Sequence, residues 1–84
     1  MKTVEIYTTP TCPYCSAAKQ LLAKKGVKYA EFDVSRDFAL RDLMTQRAMG
    51  SRTVPQIFIG GSHVGGCDDL YALDHAGGLD PLLA

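Results

Sequence analysis

The residues of this chain best suited to do chemistry are Cys12 and Cys15, held two residues apart in Thr11-Cys12-Pro13-Tyr14-Cys15. A thiolate is a nucleophile toward disulfides. Two thiols on one turn of helix bring their sulfurs within bonding distance, so the pair can open and close as a disulfide. A C-x-x-C between a strand and a helix reads as a redox dithiol. An ordinary thiol, with a pKa near about 8.5, is only slightly ionised at neutral pH. A helix start directly after Cys12 supplies free N–H groups and the positive end of a dipole, which favour charge on that sulfur. Cys15, covered by the same helix, is expected to be the less ionised thiol. Cys12 therefore reads as the attacking sulfur and Cys15 as the resolving one. The competing readings are two inert packed cysteines or half of a zinc site. Zinc needs further ligands, and Cys67, His63 and His75 do not supply the spacing.

The elements that must hold this pair follow from the pattern on either side. Val4 to Thr8 is short, β-branched and aromatic, and reads as a largely buried strand interrupted by Glu5. Ser16 to Lys25 reads as a helix, with Pro13 suited to its first turn and Gly26 to its C-cap. Ala17, Ala18, Leu21 and Leu22 make its apolar face. Val27 to Val34 alternates as a second strand. Ser35 is a suitable N-cap for a second helix, carried by Phe38, Ala39, Leu40, Leu43, Met44 and Ala48 and stopping near Gly50. Thr53 to Ile59 reads as a third strand. Gly60-Gly61 is a hairpin signal and His63-Val64 a short fourth strand. Gly65-Gly66-Cys67-Asp68-Asp69-Leu70 opens a third helix that Gly77-Gly78 ends, and Leu79, Leu82 and Leu83 are expected to tuck the tail onto the core. The order β-α-β-α-β-β-α gives a right-handed parallel unit followed by an antiparallel hairpin. That is an α/β fold: a four-stranded mixed sheet with helices on both faces, the thioredoxin architecture.

Eighty-four residues make one small domain, residues 1–84. Nine basic and nine acidic residues cancel, so nothing points to nucleic acid or a charged membrane surface. The first residues lack the apolar run of a secretory signal, and no segment is long and apolar enough to cross a membrane. The expected setting is the cytoplasm, where a cysteine pair is catalytic or metal-binding more often than structural. The odd total of three cysteines agrees. No feature suggests an obligate oligomer, so a monomer is expected.

Two further runs stand out. Thr53-Val54-Pro55 combines an extended pattern with proline. It reads either as the start of an edge strand or as a cis peptide that presents the Val54 backbone to an extended substrate. Gly65-Gly66-Cys67-Asp68-Asp69 suits an anion at a helix start, but standing alone it reads first as a tight turn with an aspartate cap. Cys67 is by default a small buried residue. The histidines read as ordinary surface or core residues.

Cys12-Pro13-Tyr14-Cys15, Thr53-Val54-Pro55-Gln56 and Gly65-Gly66-Cys67-Asp68-Asp69, in this order, resemble the dithiol glutaredoxins, and most the bacterial glutaredoxin 3 type. The resemblance runs from Val4-Glu5-Ile6-Tyr7-Thr8 to the closing Gly77-Gly78-Leu79-Asp80-Pro81-Leu82-Leu83. It implies a cis Pro55, glutathione as co-substrate, and no metal or prosthetic group. It implies a glutathione groove lined by Tyr14, Thr53, Val54, Pro55, Gly66, Cys67 and Asp68, with Gln56 and a basic residue such as Arg47 near the glycyl carboxylate. Protein disulfides and glutathionylated proteins, ribonucleotide reductase among them, are the implied clients. The family commonly carries a lysine where this chain has Thr9, followed by Pro10. That departure predicts a weaker hold on glutathione or a less readily ionised Cys12. A second departure, about one extra residue at Ala48-Met49-Gly50-Ser51, leaves open whether Arg47 or Arg52 reaches the site. Two rival functions carry different signatures. A reductase served by a flavoenzyme would not need the Gly66-Cys67-Asp68 site. An iron–sulfur cluster carrier would not need a resolving Cys15.

Overall fold

The computed structural model describes residues 2–84. Its strands are β1 (Val4–Thr8), β2 (Tyr29–Asp33), β3 (Gln56–Ile59) and β4 (Ser62–Gly65). Its helices are α1 (Pro13–Lys24), α2 (Phe38–Arg47), α3 (Cys67–His75) and α4 (Leu79–Leu83). The four strands form one sheet in the order β2-β1-β3-β4. β1 runs parallel to β2 and antiparallel to β3, and β3 and β4 form the antiparallel hairpin.

Alternation along the central strands builds two cores. Val4 and Ile6 of β1, with Ile57 and Ile59 of β3, pack against Ala18, Leu21 and Leu22 of α1, Leu70 of α3 and Leu79 and Leu83 of α4. Tyr7 and Phe58 point to the other face and meet Val34, Met44 and Ala48. Helices thus cover both faces, and the sheet brings the C-terminal end of β1, with the dithiol, beside the start of β3.

Several boundaries differ from the sequence reading. α1 begins at Pro13 with Cys12 as its N-cap, three residues earlier than Ser16. Proline has no N–H to lose in a first turn, so nothing delays the helix. β3 begins at Gln56 rather than Thr53, since Pro55 has no N–H to give a ladder. The Val54–Pro55 bond is cis. α2 is capped by Asp37, whose carboxylate accepts from the Leu40 N–H at 2.9 Å; the Asp33 carboxylate instead accepts from the Ser35 N–H. Phe38 and Leu43 are exposed, because one turn of a ten-residue helix carries only Met44, with Leu40 beside it, onto the sheet. The tail lies on the core as expected, and does so as α4.

Candidate active site

Cys12 stands at the N-terminus of α1 with an extended backbone, and its sulfur accepts from the Cys15 N–H at 3.1 Å. A helix start leaves its first N–H groups without carbonyl partners, and here one is aimed at sulfur. Negative charge arising at that atom during exchange meets a fixed donor. The Cys12 thiol also reaches toward the Val54 carbonyl oxygen at 3.8 Å. Cys12 is half-buried, while Cys15 is 1% exposed. Burial, then its hydrogen bond with the Cys12 sulfur, pushes the Cys15 thiol up to about 12. Lys19, one turn along α1, and the Thr9 backbone act in the opposite direction, more weakly. The two sulfurs are thus unlike: one accessible and served by an N–H, the other covered and held protonated.

A groove of about 380 Å³ runs beside this pair. Tyr14, Thr53, Val54, Pro55, Gln56, Gly66, Cys67 and Asp68 all line it, although they come from three separate parts of the chain. Ser51, His63, Gly65 and Asp69 complete the lining. One residue extra on β4, Val64, bulges opposite Ile57 and Phe58. Such a bulge bends a strand and re-aims the residues beyond it, here Gly65 and Gly66 at the groove's edge. Gly65 has φ +122, and a Cβ there would collide with the Asp69 carboxylate, so this position demands glycine. The two aspartates divide their roles. The Asp69 carboxylate accepts from the Gly66 N–H at 3.0 Å and caps α3, whereas Asp68 is exposed at the groove. Cys67 is buried as the first residue of α3, and burial, then Asp68, raises its thiol.

The structure does not bring Arg47 to the groove. Its guanidinium forms a two-pronged pair with Glu5, at 2.9 and 3.2 Å, and donates to the Tyr7 hydroxyl at 2.8 Å. It also lies 4.1 Å above the Phe58 ring. The charge on Glu5 in an otherwise buried strand needs a partner, and α2 places Arg47 over it. Arg52 is likewise occupied, with Asp42 at 3.2 Å on the surface. Gln56 lines the groove, but both ends of its amide are engaged within the protein, so its N–H groups are not available to a carboxylate. Sequence reasoning missed His63, which lies 2.7 Å from Gln56 Oε1. The signal that could have found it is a histidine on a short edge strand across from a strand beginning with a polar residue.

A mixed β2-β1-β3-β4 sheet with a C-P-Y-C pair at the start of α1 and a cis proline facing it defines a thioredoxin-fold thiol protein. Residues 4–64 match the Glutaredoxin family profile. The chain is 59% identical over 83 residues to glutaredoxin 3 of Escherichia coli K12, covering 99% of each. It superposes on the solution structure of glutaredoxin from Brucella melitensis with a TM-score of 0.86 at 58% identity, covering 99% of this chain and 89% of that one. The crystal structure of a buckwheat glutaredoxin–glutathione complex gives a TM-score of 0.89 at 33% identity, covering 98% and 76%. The chain belongs to the glutaredoxin family, and its chemistry is that of a thiol–disulfide oxidoreductase.

Proposed function

We propose that the protein is a glutathione-dependent oxidoreductase that reduces protein disulfides and glutathione mixed disulfides through Cys12 and Cys15. The observation that carries this reading is the groove, which starts beside Cys12 Sγ and the Val54 carbonyl and ends at the first residues of α3. A small peptide with a thiol in its middle and a carboxylate and an ammonium at one end matches that sequence of features. The Val54 backbone suits the central residue, the N–H groups at Cys67 and Asp68 suit the carboxylate, and the Asp68 side chain suits the ammonium. The buckwheat complex supports the same reading by similarity.

With a glutathionylated protein, the Cys12 thiolate attacks the glutathione sulfur. The Cys12–glutathione bond forms, the protein–glutathione bond breaks, and the protein thiolate leaves and takes a proton from water. A second glutathione thiolate then attacks the bound glutathione sulfur, and oxidised glutathione leaves with Cys12 restored. With a protein disulfide, Cys12 forms a mixed disulfide with one sulfur and expels the other. Cys15 loses its proton, attacks Cys12 Sγ and closes the Cys12–Cys15 bond, and the second protein thiolate that leaves takes up a proton through water. Two glutathione molecules reopen the bond and leave as oxidised glutathione. Tyr14, 63% exposed beside the dithiol, is placed to meet client surfaces. The proposed setting is the cytoplasm, with the protein acting as a monomer. Its proposed clients are glutathionylated proteins and protein disulfides, of which that of ribonucleotide reductase is one.

The test is a coupled assay with glutathione, glutathione reductase, NADPH and a small glutathione mixed disulfide. Turnover is expected to scale with glutathione and to vanish in Cys12→Ser. Cys15→Ser is expected to keep deglutathionylation and lose dithiol reduction. No turnover from the folded, reduced protein would reject the reading, and loss of both activities in Cys15→Ser would reject the division of roles.

A further inference from the structure

Gln56 is a buried polar residue, 3% exposed, at the start of β3 and among the residues that line the groove. Its Nε2 lies 2.9 Å from the Thr53 carbonyl oxygen, 2.9 Å from Ser51 Oγ and 3.2 Å from Thr53 Oγ1. A carbonyl oxygen can only accept, so the amide end facing it is the nitrogen. The oxygen end must then face His63, whose Nε2 stands 2.7 Å away. An amide oxygen only accepts, so His63 must carry its proton on Nε2. Thus one carbonyl, that of Thr53, sets both the amide orientation and the imidazole tautomer. The donor survives protonation of Nδ1, so the contact does not depend on the ring's charge.

The ring itself is held from the side. His63 sits opposite Phe58 in the β3–β4 register, their rings 5.1 Å apart, and Arg47 also lies over the Phe58 ring. β4 is an edge strand, bonded only to β3. It leads directly into Gly65 and Gly66, while Ser51 and Thr53 belong to the segment that leads into Val54 and Pro55. The chain His63–Gln56–Ser51/Thr53 therefore ties together the two segments that line the groove from different parts of the chain.

We infer that His63 is a positioning residue: through Gln56 it sets the spacing between the Ser51–Val54 segment and the Gly65–Asp68 turn, and so the groove's affinity for its ligand. This rests on the glutathione reading only for the identity of that ligand. Removal of the donor leaves a buried amide oxygen unpaired, which the protein relieves by turning Gln56 or admitting water. Either change loosens the Ser51–Thr53 attachment without touching Cys12.

The experiment has two independent readings. Long-range ¹⁵N–¹H correlation spectra of the reduced wild-type protein, at a pH of about 8, are expected to show His63 as the Nε2–H tautomer. The Nδ1–H tautomer would overturn the inference whatever the ligand is. In the coupled assay, His63→Leu is expected to raise KM for a glutathione mixed disulfide roughly tenfold, the scale of one unpaired buried acceptor. The rate of Cys12 alkylation by iodoacetamide is expected to stay within about twofold, because the groove and not the sulfur is changed. His63→Gln, whose amide nitrogen falls where Nε2 stands, is expected to restore KM most of the way. An unchanged KM in folded His63→Leu, or equal damage in His63→Gln, would overturn the inference. Should His63→Leu fail to fold, the tautomer and His63→Gln decide. Failure of the wild type to process glutathione mixed disulfides would reject the functional reading and leave the tautomer to test the lock.

Discussion

Cys15 is expected to be a poor nucleophile until the pH is raised well beyond neutrality. Its thiol stands about three pH units above that of an ordinary cysteine, pushed there by burial and by the Cys12 sulfur. At a given pH below both values, its thiolate fraction is about a thousandfold smaller than that of a free thiol. A less acidic thiol makes a better nucleophile, and a Brønsted slope of about 0.4–0.5 returns roughly 20-fold. The two effects together slow Cys15 about 50-fold, and exposure of only 1% slows it further. The perturbation is alkylation by iodoacetamide in Cys12→Ser, which removes the rival thiol and Cys12's part of the shift but leaves burial, the largest cause, in place. Mass-spectrometric labelling at Cys15, followed from pH 7 to pH 10.5, is expected to accelerate about tenfold per pH unit without a plateau. An ordinary thiol flattens near its own pKa of about 8.5. A plateau near pH 8.5, or labelling within a few-fold of free cysteine at pH 7, would refute the reasoning. It would mean that Cys15 reacts through an opened form in which burial no longer acts.

The same shift has a consequence for stability. A thiol whose folded value is raised contributes stability that is complete below its unfolded value and is lost as pH rises toward the folded one. Thermal unfolding of the reduced wild type is therefore expected to weaken more steeply than that of Cys15→Ala between about pH 9 and the folded value near 12. Parallel profiles would contradict it.

Arg47→Met is expected to cost about 1–2 kcal/mol in urea unfolding, less than for a fully buried pair because Arg47 and Glu5 are each about a quarter exposed. It is expected to leave KM for a glutathione mixed disulfide within about twofold, and a large rise in KM would return Arg47 to the groove. Thr9→Lys adds a cation beside a dithiol whose groove is lined, among the described residues, by Asp68 and Asp69 but by no lysine or arginine. A charge at a partly exposed site is worth up to about 1 kcal/mol, so a two- to fivefold fall in that KM at low salt is expected; identical kinetics would sink the idea. Gly65→Ala combines φ +122 with a collision against the Asp69 carboxylate. A loss of about 1–3 kcal/mol in urea unfolding is expected, and an unchanged midpoint would show that the α3 cap yields without cost.

Much of the fold was legible because local rules and the global arrangement agree. Period-two apolar residues at Val4, Ile6, Ile57 and Ile59 specify one core face, and α1 answers with Ala18, Leu21 and Leu22. The dithiol was legible for the same reason: two cysteines across a helix start are a local pattern, and burial of the second follows from the helix. The features that escaped depend on partners distant in sequence. Glu5 breaks an apolar strand, which announces that something must pair with it, but nothing local says that the something lies 42 positions away on α2. Arg47 was therefore assigned to the groove by resemblance when its charge was already required by the core. Ser35 and Asp37 are both good caps by type, and only the chain's direction after β2 decides between them. His63 and Gln56 show the point most sharply. Neither is conspicuous alone, since a lone histidine and a buried glutamine are common. Their meaning arises when the hairpin lays β4 against β3 and the Thr53 carbonyl forces the amide to turn. A side chain that acts on the groove through another side chain leaves no spacing for a motif to record. Its sequence signal is a polar residue where the strand pattern asks for an apolar one.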